Sequence, residues 1–142
     1  MQKSTSPGDP LGAKFRLPIR LALIAYWVAL FVGTHIPTVP AGVAEVSDKL
    51  LHYLAYGGLA GLMALDRFVR GRLSTSREAW RVLGLLWLIL AIYGAVDELL
   101  QSPVGRTTDF GDWLADVIGA ACGLALFGLV LAVARGLRRG GA

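Results

Sequence analysis

Residues 82–116 read VLGLLWLILAIYGAVDELLQSPVGRTTDFGDWLAD. The stretch opens with 15 uncharged, almost wholly apolar residues, then places five carboxylates and one arginine within residues 97–116, where a second apolar run begins at 113 and continues to 134. Neither run alternates polar and apolar residues with period two, as a half-lipid-facing strand would. Backbone that crosses hydrocarbon must satisfy its own hydrogen bonds, so two such runs around a short charged connection predict a helical hairpin in a bilayer.

Two further apolar runs, at 17–33 and 50–65, extend the pattern to four. The hydrophobic content of 55% and the mean hydropathy of +0.58 exceed those of ordinary soluble domains. The expected fold class is all-α, an integral membrane four-helix bundle over residues 17–135. It lies between a disordered cytoplasmic tail, residues 1–16, and a basic cytoplasmic tail, residues 136–142. The runs at 50–65 and 82–96 are shorter than the roughly 20 residues of an unaided span, so both must recruit flanking polar residues to cross. The first run also admits a second reading, as the core of a signal peptide cleaved after Ala44.

The net charge of +4 raises nucleic acid as a partner, but the basic residues are distributed as a membrane protein distributes them. In a four-span chain that starts inside, only Lys49 and Arg106 of the 14 Lys and Arg fall outside. Both termini are therefore expected in the cytoplasm, membrane lipids are the expected surroundings, and no nucleic-acid motif accompanies the charge. The acids show the opposite bias: of ten, only Asp9, Asp66 and Glu78 fall inside. Cys122 is the only cysteine, which excludes an intrachain disulfide and predicts a packed, inert thiol.

The outer acids are also deep. Asp97 lies about 24 Å along its helix from Arg81, and His52 about 22 Å from Arg67, both short of a hydrocarbon core of roughly 30 Å. Ionisable groups at that depth are expected to face the bundle interior. Asp48, His52 and Tyr56 share one face of the second helix by their spacing of four, and Asp97 and Gln101 share one face of the third. On the fourth, Asp109, Asp112 and Asp116 stand above a Gly119-x-x-x-Gly123 contact surface. These stripes predict an outward-facing polar pocket roofed by residues 102–111.

The series Ser47-Asp48-Lys49-Leu50-Leu51-His52 with Tyr56, then Asp97-Glu98-Leu99-Leu100-Gln101, then Gly105-Arg106-Thr107-Thr108-Asp109 and Asp112 through Gly119, resembles the motif series of the VanZ-like family of small bacterial membrane proteins. The likeness runs from about residue 48 to 123. It implies a multi-pass protein of the bacterial cytoplasmic membrane and an association with low-level resistance to the glycopeptide teicoplanin. Carried over by position, the family's polar motif residues are His52, Glu98, Gln101, Arg106, Asp112 and Asp116, the last at a position where many relatives have Asn.

Each of these residues also has a structural reading. Asp109 and Asp112 can cap the fourth helix, and Ser47 and Asp48 the second. Tyr53, Tyr56, Trp80, Trp87 and Trp113 suit interface or packing positions. His35 reads as a wet residue at a helix end. Asp97 and Glu98 sit where the helix dipole disfavours anions, so a cation is expected beside them, with Arg106 and Lys49 as the outside candidates. As chemistry, His52, Glu98 and Asp112 form a candidate proton-transfer group, and His52 with carboxylates a candidate site for Mg²⁺, Mn²⁺ or Zn²⁺. Binding roles fall to Asp48, Lys49, Tyr56, Asp97, Gln101, Arg106, Asp109 and Asp116. Two function classes follow: a site that binds or modifies an envelope lipid or cell-wall precursor, and a non-catalytic bundle acting through a membrane partner. The oligomeric state and any cofactor are left open.

Overall fold

A computed structural model describes residues 10–36, 48–73, 75–105 and 108–140, all of them helix or connection with no strand. Among the described residues four helices form: α1 (Pro10–Thr34), α2 (Asp48–Val69), α3 (Ser76–Gln101) and α4 (Phe110–Gly140), with a 3₁₀ turn at Ser102–Val104 between the last two. As the short runs required, α2 and α3 extend into polar sequence, reaching 22 and 26 residues, or about 33 and 39 Å.

The helix ends follow local chemistry. Thr75 accepts a hydrogen bond from the Glu78 N–H at 3.2 Å and starts α3. Gly105, at φ +80°, closes the 3₁₀ turn in the left-handed conformation that glycine adopts without steric cost. Asp109 starts α4, its carboxylate accepting from Gly111 N–H at 2.7 Å and its carbonyl from Asp112 N–H at 3.0 Å. The tail boundaries differ from expectation. With Pro10 at its first position, α1 is helical through residues 10–16 and continues past Pro18. At the other end, α4 carries on to Gly140.

α2 is the central helix, and α4 packs most closely on it. A Cβ at Gly119 would strike the Tyr53 carbonyl, and one at Gly123 the Gly57 carbonyl, so the glycines let the two backbones touch. α3 and α4 are joined by reciprocal hydrogen bonds, from Trp87 Nε1 to the Val117 carbonyl at 3.2 Å and from Trp113 Nε1 to the Ala91 carbonyl at 3.0 Å. α1 docks through Tyr26, whose hydroxyl donates to the Ala55 carbonyl at 3.0 Å and lies over Gly58. The core gathers Tyr56, Leu59 and Ala60 of α2, Leu86 and Leu90 of α3, and Leu124 of α4.

α1, α3 and α4 contain segments long and apolar enough to cross a membrane, with mean hydropathies of 1.7, 1.9 and 2.5. α2 has the length but falls short in apolarity, because the helix at the centre of the bundle carries the buried polar residues His52 and Asp66. The outward faces are apolar, with Leu21, Ile24, Leu88, Leu126, Leu129 and Val133 all exposed. Cys122 is exposed as well, a correction to the packed thiol expected: α4 turns its glycine face inward and this position outward.

Contacts across helix ends place both outer helix termini beside the α2–α3 connection. Arg16 Nε donates to the Val69 carbonyl at 3.2 Å, and Arg135 donates to the Leu73 carbonyl. Arg70 pairs with Asp66 at 2.9 Å at this same pole. The opposite pole holds the acidic cluster.

Candidate functional site

The polar head is built from the first turns of α2 and α4 and the last turn of α3. His52, one turn into α2, is 5% exposed, and Asp116, on the facing side of α4, is fully buried. Nδ1 of His52 lies 2.9 Å from Oδ1 of Asp116. An ionised carboxylate only accepts, so in that state the imidazole proton sits on Nδ1 and Nε2 is left to accept a proton or bind a cation. Gly94 of α3 makes room for the pair: a Cβ there would lie 3.1 Å from Asp116 Oδ2 and 3.4 Å from the Tyr56 ring.

Lys49 closes the top. Its ammonium donates to Asp109 at 2.7 Å and to Asp112 at 3.0 Å, tying α2 to the start of α4. The ammonium, followed by the Gly111 N–H, holds the Asp109 carboxyl below its ordinary range. The expectation of Lys49 as counter-ion to Asp97 or Glu98 is therefore corrected. The two acids end α3, whereas the ammonium reaches across to the carboxylates that begin α4.

Glu98 is buried and takes neutral donors. Its Oε2 accepts from Asp109 N–H at 3.0 Å, its Oε1 from Gln101 Nε2 at 3.2 Å, and its carbonyl from the Thr108 hydroxyl at 3.1 Å. It pins the end of α3 to the start of α4. Asp97, 1% exposed, faces the end of α1 instead, with His35 Nδ1 at 3.8 Å from Oδ1. Arg106, the other candidate cation, lies outside the described residues, as does Ser47.

His35 is the residue that sequence reasoning missed. It is half-buried, stacked on Phe31 with ring centroids 4.1 Å apart, and donates from Nδ1 to the Phe31 carbonyl at 2.8 Å. Its place at the C-terminal end of α1, as Asp97 is at the C-terminal end of α3, is readable from the sequence and puts both near one pole, but it does not show that they face one another. Of the tryptophans that suit interface or packing positions, Trp87 and Trp113 pack between α3 and α4 and also serve as interhelical donors, a role that the sequence does not show.

Of the predicted residues, the fold brings together His52, Glu98, Gln101, Asp112, Asp116, Lys49 and Asp109, with Tyr56 beneath and Asp48 at the exposed rim. Among the described residues, six buried side-chain atoms have no hydrogen-bond partner: His35 Nε2, the Tyr56 and Tyr93 hydroxyls, both Asp97 carboxylate oxygens, and Asp116 Oδ2. Tyr56 and Tyr93 stack with centroids 5.9 Å apart, linking the Asp97 side to the Asp116 side. Two groups could hold a cation: Asp48, His52 and Asp112, and His52, Glu98 and Asp116, each with ligand atoms within 4.8 Å of one another.

No curated protein and no solved structure matches the chain. Residues 48–131 match the VanZ/LLP1 family, and the match spans every element of the polar head, from Asp48 on α2 through the α3–α4 turn. Covering more than half of the sequence, it establishes that this multi-pass membrane protein belongs to the VanZ/LLP1 family.

Proposed function

We propose that the acidic pole faces the extracytoplasmic side of a bacterial cytoplasmic membrane and binds the polar part of a lipid or cell-wall component. His52 is its proton-handling group. The observation that supports this most is the buried His52–Asp116 pair. An imidazole held by a carboxylate on one nitrogen presents a fixed second nitrogen, the arrangement general acids and bases use. Asp116 takes the orienting role; Asp112 instead positions Lys49, and Glu98 frames the floor. Gln101, Asp48 and Asp109 shape the surroundings of these groups, and Asp97 lies on the α1 side.

The alternative, a non-catalytic bundle acting through a membrane partner, draws support from Glu98 and Asp109, whose carboxylates are engaged in joining helix ends. The two readings part on conservative substitutions. His52→Ala would leave Asp116 buried without a partner and confound function with folding. His52→Gln retains an amide donor for Asp116, and Glu98→Gln retains an acceptor for the Asp109 N–H. In the site reading both variants accumulate and melt within a few degrees of wild type while an envelope phenotype, such as glycopeptide susceptibility, is lost. Normal phenotype in the stably inserted double variant sinks the site reading and leaves the partner-mediated one.

A further inference from the structure

We infer that His52, Glu98 and Asp116 bind one divalent transition-metal ion, zinc or manganese, inside the polar head. The inference rests on the reading of this cluster as the working site and adds the ion that completes it. Three helices each contribute one ligand, and the three ligand atoms already lie within 4.8 Å of one another. Around an ion with bonds of about 2.0–2.2 Å, ligand atoms stand roughly 3–4.4 Å apart, so side-chain adjustment alone closes the shell. The residues are 5%, 3% and 0% exposed, so this is an interior arrangement, unlike a solvated acidic patch.

The second observation is the state of the oxygens. Oδ1 of Asp116 is taken by His52, whereas Oδ2, equally buried, has no partner among the described residues, and neither has the Tyr56 hydroxyl. An unsatisfied buried carboxylate oxygen is costly and calls for a proton, a water or a cation. Gly94 keeps the space beside that oxygen, since a side chain there would press on it. Glu98 is oriented by the Asp109 N–H and the Gln101 amide, each leaving lone pairs on the same oxygens, as outer partners orient a metal-binding carboxylate.

Charge selects the cation over the proton or the water. A neutral imidazole with two carboxylates carries two negative charges, which a divalent ion cancels and a single shared proton only halves. A water cancels none. The ligand set narrows the metal: the imidazole nitrogen favours zinc, the two carboxylates also suit manganese, and magnesium, which dehydrates reluctantly and keeps several waters, fits a buried nitrogen-containing set least well. Asp48, His52 and Asp112 also bring ligand atoms within 4.8 Å of one another, but Lys49 already occupies Asp112 there, which leaves the inner group as the cation site.

The test uses the full chain purified in detergent, stripped with EDTA, and titrated separately with zinc, manganese and magnesium chlorides by calorimetry, with metal content read by mass spectrometry. We expect about one zinc or manganese per chain, with no competition from equimolar magnesium. Asp116→Asn and His52→Gln should each weaken binding by more than about 100-fold, beyond what loss of an outer partner costs. Asp66→Asn, at the opposite pole, should bind as wild type does. Absence of stoichiometric binding by the wild-type chain overturns the inference, whatever the variants do; so does binding that survives both substitutions, or magnesium binding as tightly as zinc. The outcomes also separate the ion from the function. Metal-free protein that still needs His52 for its envelope phenotype removes the ion alone, and stoichiometric metal with normal phenotype in His52→Gln removes the function alone.

Discussion

Lys49 shows how one cation can organise an acidic end without neutralising it. It bridges Asp109 and Asp112 at 2.7 and 3.0 Å while about half exposed, so water and salt screen the pair and its contribution is modest. The sign of its pH dependence is nevertheless fixed. Asp109 is held below its ordinary range in the folded chain, chiefly by Lys49. Its share of stability is therefore full above the unfolded carboxyl range, near pH 4, and is lost as the pH falls through the lower folded value. Lys49→Met should lower the melting temperature at pH 7, and the part of that difference due to Asp109 should vanish in acid below the ordinary carboxylate range. A melting difference that grew on acidification would show that Lys49 repels its surroundings more than it pairs with them. The stripe Asp48, His52, Tyr56 and the row Asp109, Asp112, Asp116 were legible because spacing along one helix decides which side chains share a face. Which acid Lys49 meets, and that His35 approaches Asp97, was not legible: those pairings depend on the relative rotation and height of different helices, which no single helix encodes.

At the scale of elements, the glycines of α4 set the height of the polar face. Gly119 is one turn below Asp116, and its absent side chain is what admits the Tyr53 carbonyl, one residue from His52. Gly119→Ala should therefore push α2 from α4, cost about 1–3 kcal/mol as an overpacked contact does, and lengthen the His52–Asp116 contact. Gly84→Ala on α3 is the internal control. A Cβ there meets nothing within 4 Å, so the same change should stabilise by about 0.5–1 kcal/mol through helix propensity alone. Thermal unfolding of both variants in one detergent decides the matter, and equal melting temperatures would refute the close-contact role of Gly119. The Gly119-x-x-x-Gly123 surface could be read in advance, since small residues at that spacing have one main use in a membrane helix. The reciprocal Trp87 and Trp113 hydrogen bonds could not. An indole in a membrane helix suits the headgroup region as well as a neighbouring carbonyl, and only packing chooses between them.

For the whole molecule, the two poles carry opposite chemistry, and this polarity yields the topology. Arg16 meets the carbonyl of Val69 and Arg135 that of Leu73, so the start of α1, the end of α4 and the α2–α3 connection share one end. Lys49, Asp109 and Asp112 meet at the other. The basic pole collects Arg16, Arg67, Arg70, Arg72 and Arg77 together with Arg135, the excess that retains a membrane segment's flank in the cytoplasm. Asp and Glu contribute little to orientation, so the acids at the far pole do not oppose it. We therefore propose a cytoplasmic basic pole and an exposed acidic one. Single cysteines report it directly once the native, exposed Cys122 is replaced by alanine. Ser76, at the start of α3, and Ser102, just past its end, are both exposed and lie at opposite poles of the bundle. In intact cells an impermeant thiol reagent should label Ser102→Cys and spare Ser76→Cys until the membrane is permeabilised. The reverse pattern would place the acidic head in the cytoplasm and withdraw any direct contact with the envelope. Labelling of both from outside would mean that α3 does not cross, a result the 26 residues and mean hydropathy of 1.9 in that helix weigh against.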